Sequence, residues 1–396
     1  MMLGELGATA KIIRRRNPPR RRPRNRHFRR NQHSFCRVLA ISVRRKTYTC
    51  VESRSELPAT PENLLSTKTM RILVTGGAGY IGSHAVKLLG RAGHDVWAYD
   101  NLVYGHRAAV PQGRLIEGDL HDRGLLERSL RERNIDAVMH FAAFAAVGES
   151  VADPAKYYRN NVVGSLSLLE AMRAADVKKI VFSSTTATYG VPEQVPITEA
   201  EKQRPINPYG YTKLVVEQAL SDYTHAYGFG YAALRYFNAS GASPDGDIGE
   251  DHTPETHLIP LVLQTALGQR ERITIFGEDY PTPDGTCIRD YVHVDDLGSA
   301  HVMALERLAP GVELKLNLGT GRGYSVREVI DSCRKVTGRT INVASGERRP
   351  GDPPELIADA SLARRTLGWE PQYTTIDAIV ATAWRWHNSH PRGYAV

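Results

Sequence analysis

The sequence predicts an α/β protein built on a Rossmann-type doubly wound parallel sheet, with a smaller α+β lobe toward the C-terminus. Two observations predict it. From Arg71 to Tyr236, short apolar runs alternate with longer helical ones, the rhythm of a parallel sheet covered on both faces. A glycine-rich turn, Thr75-Gly76-Gly77-Ala78-Gly79-Tyr80-Ile81-Gly82, joins the first strand to the first helix, and Asp100 ends the second strand.

The elements follow in order. Arg71–Thr75 is a short apolar strand, Gly79–Ala92 a helix and Asp95–Tyr99 the next strand. A third strand starts at Leu115-Ile116 and ends at Asp119; Arg123–Arg133 is helical and Ala137–Phe141 is the fourth strand. Pro154–Ala175 reads as one helix, followed by the strand Lys179–Ser183. A helix opening at Asn207-Pro208 runs to about Tyr227, and Tyr231–Tyr236 is another strand. Beyond Asn238, Gly, Pro and Asp cluster at 241–254 and 277–285 as long loops, which are more often functional than idle. Helices near 256–268, 295–308, 325–337 and 374–389 alternate there with short strands near 272–276 and 314–318. The expected division is a nucleotide-binding domain at 70–240 and a substrate lobe at 241–396, with 288–318 returning to the first domain.

Net charge is uneven. Residues 1–69 hold 17 Lys+Arg against 4 Asp+Glu, whereas the remainder holds 34 against 39. The globular part is mildly acidic, so no nucleic-acid footprint is expected for it. The Arg-rich stretch reads as a disordered extension or as translated sequence upstream of a true start at Met70, with a transit peptide or a nucleic-acid-binding arm as the other readings. Cys36, Cys50, Cys287 and Cys333 show no metal-type spacing, no metal site is assigned, and their use fits a reduced compartment such as the cytoplasm. No apolar run approaches the ~18 residues that a membrane span needs.

The glycine turn permits close approach of the backbone to a pyrophosphate, with N–H groups of the helix start facing the phosphates. Asp100, eighteen residues past Gly82, would hydrogen-bond both ribose hydroxyls of NAD and repel the 2′-phosphate of NADP. Asp119 is the matching candidate for the adenine amino group. Tyr209 and Lys213 lie four residues apart, on one helical face. A Lys cation there lowers a phenol pKa of about 10, fitting Tyr209 to take a proton from an alcohol.

The series TGxxGxxG, Asp100, Phe141-Ala142-Ala143, Ser183-Ser184-Thr185 and Tyr209-xxx-Lys213 resembles the extended short-chain dehydrogenase/reductase family, and within it the UDP-sugar 4-epimerases. The likeness runs from Met70 to the C-terminus and includes Val147–Ser150, Leu234–Ala239, Asp284–Tyr291, Trp384-Arg385-Trp386 and His390–Tyr394. It implies that Gly76, Gly79, Tyr80, Ile81 and Gly82 meet the pyrophosphate, Asp100 and Asn101 the adenosine ribose, and Asp119 and Leu120 the adenine. It further implies that Phe141, Ala142, Ala143, Asn160 and Phe237 line the NAD, that Lys213 holds the nicotinamide ribose, and that Thr185 bonds the reacting sugar oxygen. For the UDP-sugar it implies Asn238, Arg289, Arg349 and Asp352; Arg forks suit a diphosphate independently. A homodimer is implied as well.

Three positions depart from the family pattern: Ala145 replaces a Lys near the nicotinamide, His257 an Asn on the uridine side, and Leu356 a bulky aromatic beside the hexose. The smaller wall at Leu356 would admit a 2-acetamido sugar. Dehydratases and decarboxylases of this kind carry a carboxylate just after the Ser/Thr, whereas this chain reads Thr185-Thr186-Ala187-Thr188-Tyr189. Oxidation at C4 and return of the same hydride is the chemistry left, on UDP-galactose and UDP-glucose, with UDP-arabinose or N-acetylhexosamine substrates and a non-catalytic NAD-binding protein as alternatives.

Overall fold

The computed structural model describes residues 69–349 and 352–395, which fall within one compact unit, Leu64–Val396. The Arg-rich N-terminal stretch lies outside the described residues.

Thirteen strands are present among the described residues: β1 (Arg71–Thr75), β2 (Asp95–Asp100), β3 (Leu115–Glu117), β4 (Ala137–His140), β5 (Lys179–Ser183), β6 (Gly230–Tyr236), β7 (Asn238–Ser240), β8 (Ile273–Phe276), β9 (Ile288–His293), β10 (Glu313–Leu318), β11 (Gly323–Ser325), β12 (Val343–Gly346) and β13 (Glu355–Leu356). The main sheet has seven strands in the order β10-β6-β5-β4-β1-β2-β3, every pair parallel. Its strand order reverses at β1/β4, the doubly wound arrangement expected from the alternation.

Because successive strand residues face opposite sides, each strand feeds two cores. Ile72, Val74, Ala137, Met139, Ala232 and Leu234 pack on one face with the helices Tyr80–Arg91, Val294–Arg307 and Ser361–Leu367. Leu73, Val138, Tyr231 and Ala233 pack on the other with Arg123–Glu132, Gly164–Ala174 and Pro208–Tyr227. Helix Val294–Arg307 and strand β10, both late in the chain, thus belong to the large sheet. A third core joins Ile259, Val262 and Leu263 with Ile273, Ile275, Val329, Ile330, Val380 and Ala383.

The strands β7, β9, β11, β12 and β13 and the helix Ser361–Leu367 go beyond the expected elements, and two further differences bear on the site. The third strand ends at Glu117, leaving Asp119 in the loop beyond it. The long helix expected from Pro154 is interrupted by a π-helical turn at Tyr158–Val163 before Gly164–Ala174 resumes. Inside that turn, buried Asn161 accepts from Phe144 N (2.9 Å) and donates through Nδ2 to Phe144 O (3.0 Å) and Thr212 Oγ1 (3.1 Å). No helix among the described residues is long and apolar enough to cross a membrane.

Candidate active site

All strands of the main sheet run the same way, so their carboxyl ends share one edge, where ligands of such sheets bind. Along it lie Thr75 and the glycine turn after β1, Asp100 closing β2, Phe141-Ala142-Ala143 after β4, Thr185 after β5 and Phe237 after β6. Gly76, Gly79, Tyr80, Ile81, Phe141, Ala142, Ala143, Asn160, Tyr209, Phe237 and Asn238 are each half-buried.

The glycine turn has no spare volume. A Cβ on Gly82 would sit 2.0 Å from the Gly76 carbonyl oxygen. The helix that follows has Gly79 as its N-cap, with no side-chain cap and no acidic residue in its first turn. Its N-terminal N–H groups therefore have no side-chain acceptor competing with an anion. Asp100 accepts from Ala78 N (3.0 Å) and Leu102 N (2.8 Å), bracing the turn from behind. Each carboxylate oxygen can accept a further bond, and burial raises the Asp100 pKa against these N–H groups. Asn101 donates to Asp119 (2.8 Å), which brings the two expected adenosine-side residues together, while Leu120 is buried. A cradle closed to side chains, an uncapped helix start and a braced carboxylate fit a dinucleotide.

Helix Pro208–Tyr227 begins where the sequence places it, with Asn207 Oδ1 accepting from Gly210 N (2.9 Å) and Gly228 closing it at φ +70°. A Cβ on Gly210 would lie 2.5 Å from the Ala187 carbonyl oxygen, so this glycine lets the helix start press against the turn after Thr185. Thr185 and Tyr209 are thereby brought together, near enough for the Thr185 hydroxyl to act on the phenol. Lys213 is 3 % exposed. Its Nζ donates to Ser183 O (2.8 Å) and lies 5.9 Å from the centre of the Tyr209 ring.

The electrostatics differ from the simple expectation. Burial raises the Tyr209 pKa, and the Thr185 hydroxyl only partly opposes this. Burial also lowers Lys213 to about 7, with the Glu217 charge pulling the other way. The lysine charge is thus spent on a carbonyl and restrained by desolvation instead of shifting the phenol downward.

Glu217, one helical turn beyond Lys213, anchors a buried network. Its Oε1 accepts from Ser184 Oγ (2.5 Å) and Arg235 Nε (2.9 Å), its Oε2 from Arg235 Nη2 (2.6 Å) and Gln203 Nε2 (3.1 Å). Arg235 also donates to Tyr189 OH (2.8 Å), which in turn donates to Asn317 Oδ1 (2.7 Å). Sequence reasoning assigns neither Glu217 nor Arg235 a role; the one available signal was a second charged residue at i+4 from Lys213.

On the substrate side, Arg289 forms an ion pair with Asp352. Leu356 pairs in register with Arg289 across β13 and β9. The Arg349 guanidinium stacks 4.3 Å over the half-exposed Phe276 ring, while neighbouring Arg348 bonds Asp279. Asn238 opens β7, opposite Tyr291. His257, expected beside uridine, bonds Glu255 Oε1 through Nδ1 (3.1 Å), with Glu250 Oε1 2.7 Å away but outside hydrogen-bond geometry. Ala145 is exposed.

Residues 72–319 match the profile of the NAD dependent epimerase/dehydratase family. The chain is 54% identical over 327 residues to the UDP-glucose 4-epimerase of Halalkalibacterium halodurans, a match covering 82% of this chain and 98% of the relative. Among solved structures it resembles the Brucella ovis UDP-glucose 4-epimerase in complex with NAD, at 53% identity and TM-score 0.77, covering 80% of this chain and 98% of that one. It also resembles the Bifidobacterium longum UDP-glucose 4-epimerase in complex with NAD+ and UDP, at 41% identity and TM-score 0.78, covering 82% and 100%. With the glycine cradle, the acid closing β2 and the Thr185–Tyr209–Lys213 group on one sheet edge, these likenesses show that the chain belongs to the NAD dependent epimerase/dehydratase family.

Proposed function

We propose that this chain interconverts UDP-galactose and UDP-glucose by oxidation and re-reduction at C4. The observation that carries the reading is the convergence of Thr185, Tyr209 and Lys213 beside the dinucleotide cradle, in a segment that contains no carboxylate between residues 185 and 189. The glycine turn with Tyr80, Ile81, Asp100, Asn101, Asp119, Leu120, Phe141–Ala143, Asn160 and Phe237 would hold NAD. Bound there, NAD supplies a hydride acceptor that is regenerated within each cycle.

Tyr209 takes the proton of the C4 hydroxyl, holds it while the 4-keto sugar turns over, and returns it to the C4 oxygen as hydride is restored to the opposite face of C4. A phenol held above its ordinary value keeps its proton between the two steps and releases it only to a stronger base, such as the C4 alkoxide that forms as the ketone is reduced. Removing the substrate proton needs the Lys213 charge close to the ring, and the ammonium is already within one side chain's reach of it. Thr185 orients the reacting oxygen through its hydroxyl. Arg289 and Arg349 suit the diphosphate as forked donors, Asp352 a ribose or sugar hydroxyl, and Asn238 the substrate side of β7. In this reading residues 70–240 hold NAD, residues 241–396 hold the UDP-sugar, and the protein works as a homodimer in the cytoplasm. Cys287 and Cys333, both free and buried, suit that compartment.

The test is direct: protein mixed with UDP-galactose should yield UDP-glucose at a fixed equilibrium ratio without net NADH release. Retained NAD with no sugar conversion would sink the proposal and leave a binding protein. A parallel panel of UDP-N-acetylgalactosamine and UDP-arabinose reads the wall at Leu356; no turnover of the N-acetyl sugar would exclude the wider pocket.

A further inference from the structure

Away from the Thr185–Tyr209–Lys213 group, the segment Glu250-Asp251-His252-Thr253-Pro254-Glu255-Thr256-His257 folds four potential ligands onto one point. One donor atom from each of Glu250, His252, Glu255 and His257 lies within 4.8 Å of all the others. The closest approaches are His257 Nδ1 to Glu250 Oε1 (2.7 Å) and to Glu255 Oε1 (3.1 Å), then His252 Nδ1 to Glu250 Oε1 (3.3 Å) and to Glu255 Oε2 (3.7 Å). Four ligands at Zn–N and Zn–O distances of about 2.0–2.2 Å in a tetrahedron stand about 3.3–3.6 Å apart. The observed separations bracket that edge.

Direction matters as much as distance. Glu250 is 3 % exposed, yet its Oε1 and His252 Nδ1 are buried without a hydrogen-bond partner despite their proximity. A buried carboxylate oxygen and a buried imidazole nitrogen that approach to 3.3 Å outside hydrogen-bond geometry are costly unless a third body satisfies both. Glu255 Oε1 is already engaged by Thr256 N (2.6 Å) and His257 N (2.8 Å) as well as by His257 Nδ1 (3.1 Å), an imidazole contact that an ion would replace, and Oε2 faces His252 Nδ1 at 3.7 Å. Such outer bonds are the usual device for aiming a ligand. A polar cavity of about 190 Å³, lined by Glu250, His252 and Glu255 together with His387 and His390, gives an ion a way in.

We propose that Glu250, His252, Glu255 and His257 form a divalent transition-metal site of the Zn²⁺ class. Two imidazoles and two carboxylates are a borderline-hard set, and four protein ligands make a closed, structural centre. Its place in the fold states what it would secure. Trp386 Nε1 donates to Glu250 O (3.1 Å), His106 Nε2 bonds Asp251 O (2.9 Å), and Tyr394 N donates to Asp251 Oδ2 (2.9 Å). The Tyr80 ring, at the start of the cradle helix, meets His252 edge-on at 6.2 Å. An ion here would pin the 250–257 segment between the C-terminal turn and the cradle helix.

The test uses the full chain, stripped with a chelator and titrated with Zn²⁺ alone by competition against a chromophoric chelator, with Co²⁺ spectra as a second readout. Expected are one equivalent of Zn²⁺, a four-coordinate Co²⁺ absorption spectrum, and a higher melting temperature with Zn²⁺. Glu250→Gln and His252→Asn, each checked for native circular dichroism, should weaken binding by more than the roughly 10–100-fold that follows loss of an outer partner. Absence of binding by the stripped wild type would overturn the proposal. So would Zn²⁺ binding of equal strength in His252→Asn/Glu255→Gln, which would assign it to other surface histidines.

Discussion

Replacing Glu217 by Gln changes one charge and almost no volume, in a place where the structure allows the cost to be worked out. The Glu217 and Arg235 side chains are each 3 % exposed, so solvent screening gives little relief. The carboxylate accepts four hydrogen bonds, two of them a forked pair from the guanidinium. Breaking a buried ion pair by neutralising one partner costs about 3–5 kcal/mol, because the other charge stays behind. With an unfolding entropy of roughly 2.1 cal/mol/K per residue, a folded chain of this size loses about 4–7 °C in Tm. Calorimetry of Glu217→Gln, Arg235→Met and the double variant measures it. The double variant should regain much of the loss, since no orphan charge remains. A second readout is catalytic. Glu217 holds the Lys213 pKa up against burial, so its removal should move the alkaline limb of the kcat profile to lower pH. A Tm within 1–2 °C of wild type with an unmoved pH limb would refute the claim that this network supports the Lys213 charge.

Tyr209→Phe should lower kcat by about 100- to 10,000-fold while NAD remains bound, as read by cofactor content and turnover. Gly82→Ala should drive a methyl into the Gly76 carbonyl, an overpacking cost of about 1–3 kcal/mol that appears as roughly 5- to 150-fold weaker NAD retention. Acid should destabilise the fold through His140 and His301, which burial pushes down to about 3 and about 4. Unfolded, both titrate near pH ~6.5, so the unfolded chain binds more protons below that value. Their contribution is complete above pH ~6.5 and falls as pH drops toward those native values, on the order of 3–5 kcal/mol each. Urea unfolding across that range should show stability falling with acid, and less steeply in His140→Gln.

Much of the site was legible because it is local. The glycine turn, Asp100, Thr185 and the Tyr209–Lys213 pair each follow from a strand end or a helix period, and a parallel sheet then delivers them to one edge. The Arg235–Glu217 pair was not, because it joins a strand to a helix through burial that no short pattern encodes. The phenol pKa ran opposite to the i+4 argument for the same reason: spacing predicts a neighbour's charge, whereas desolvation depends on the whole enclosure. His257 was read as a residue on the uridine side, but its partners at 250 and 255 form an E-x-H-x-x-E-x-H run that becomes meaningful only once a loop folds it onto itself. The π-helical turn has no apolar period that separates it from an ordinary helix.

That turn, Tyr158–Val163, has a consequence for chain length as distinct from chemistry. A π turn takes one more residue than the α-helical path it replaces. A chain shortened by one residue there would wind as plain helix and rotate everything upstream by about 100° relative to Gly164–Ala174. Asn161 would then swing away from both Phe144 and Thr212, uncoupling the loop after β4 from the helix that carries Tyr209. In this stretch the residue count is itself the constraint: the exposed side chains of Tyr158 and Arg159 can be exchanged far more freely than either position can be deleted.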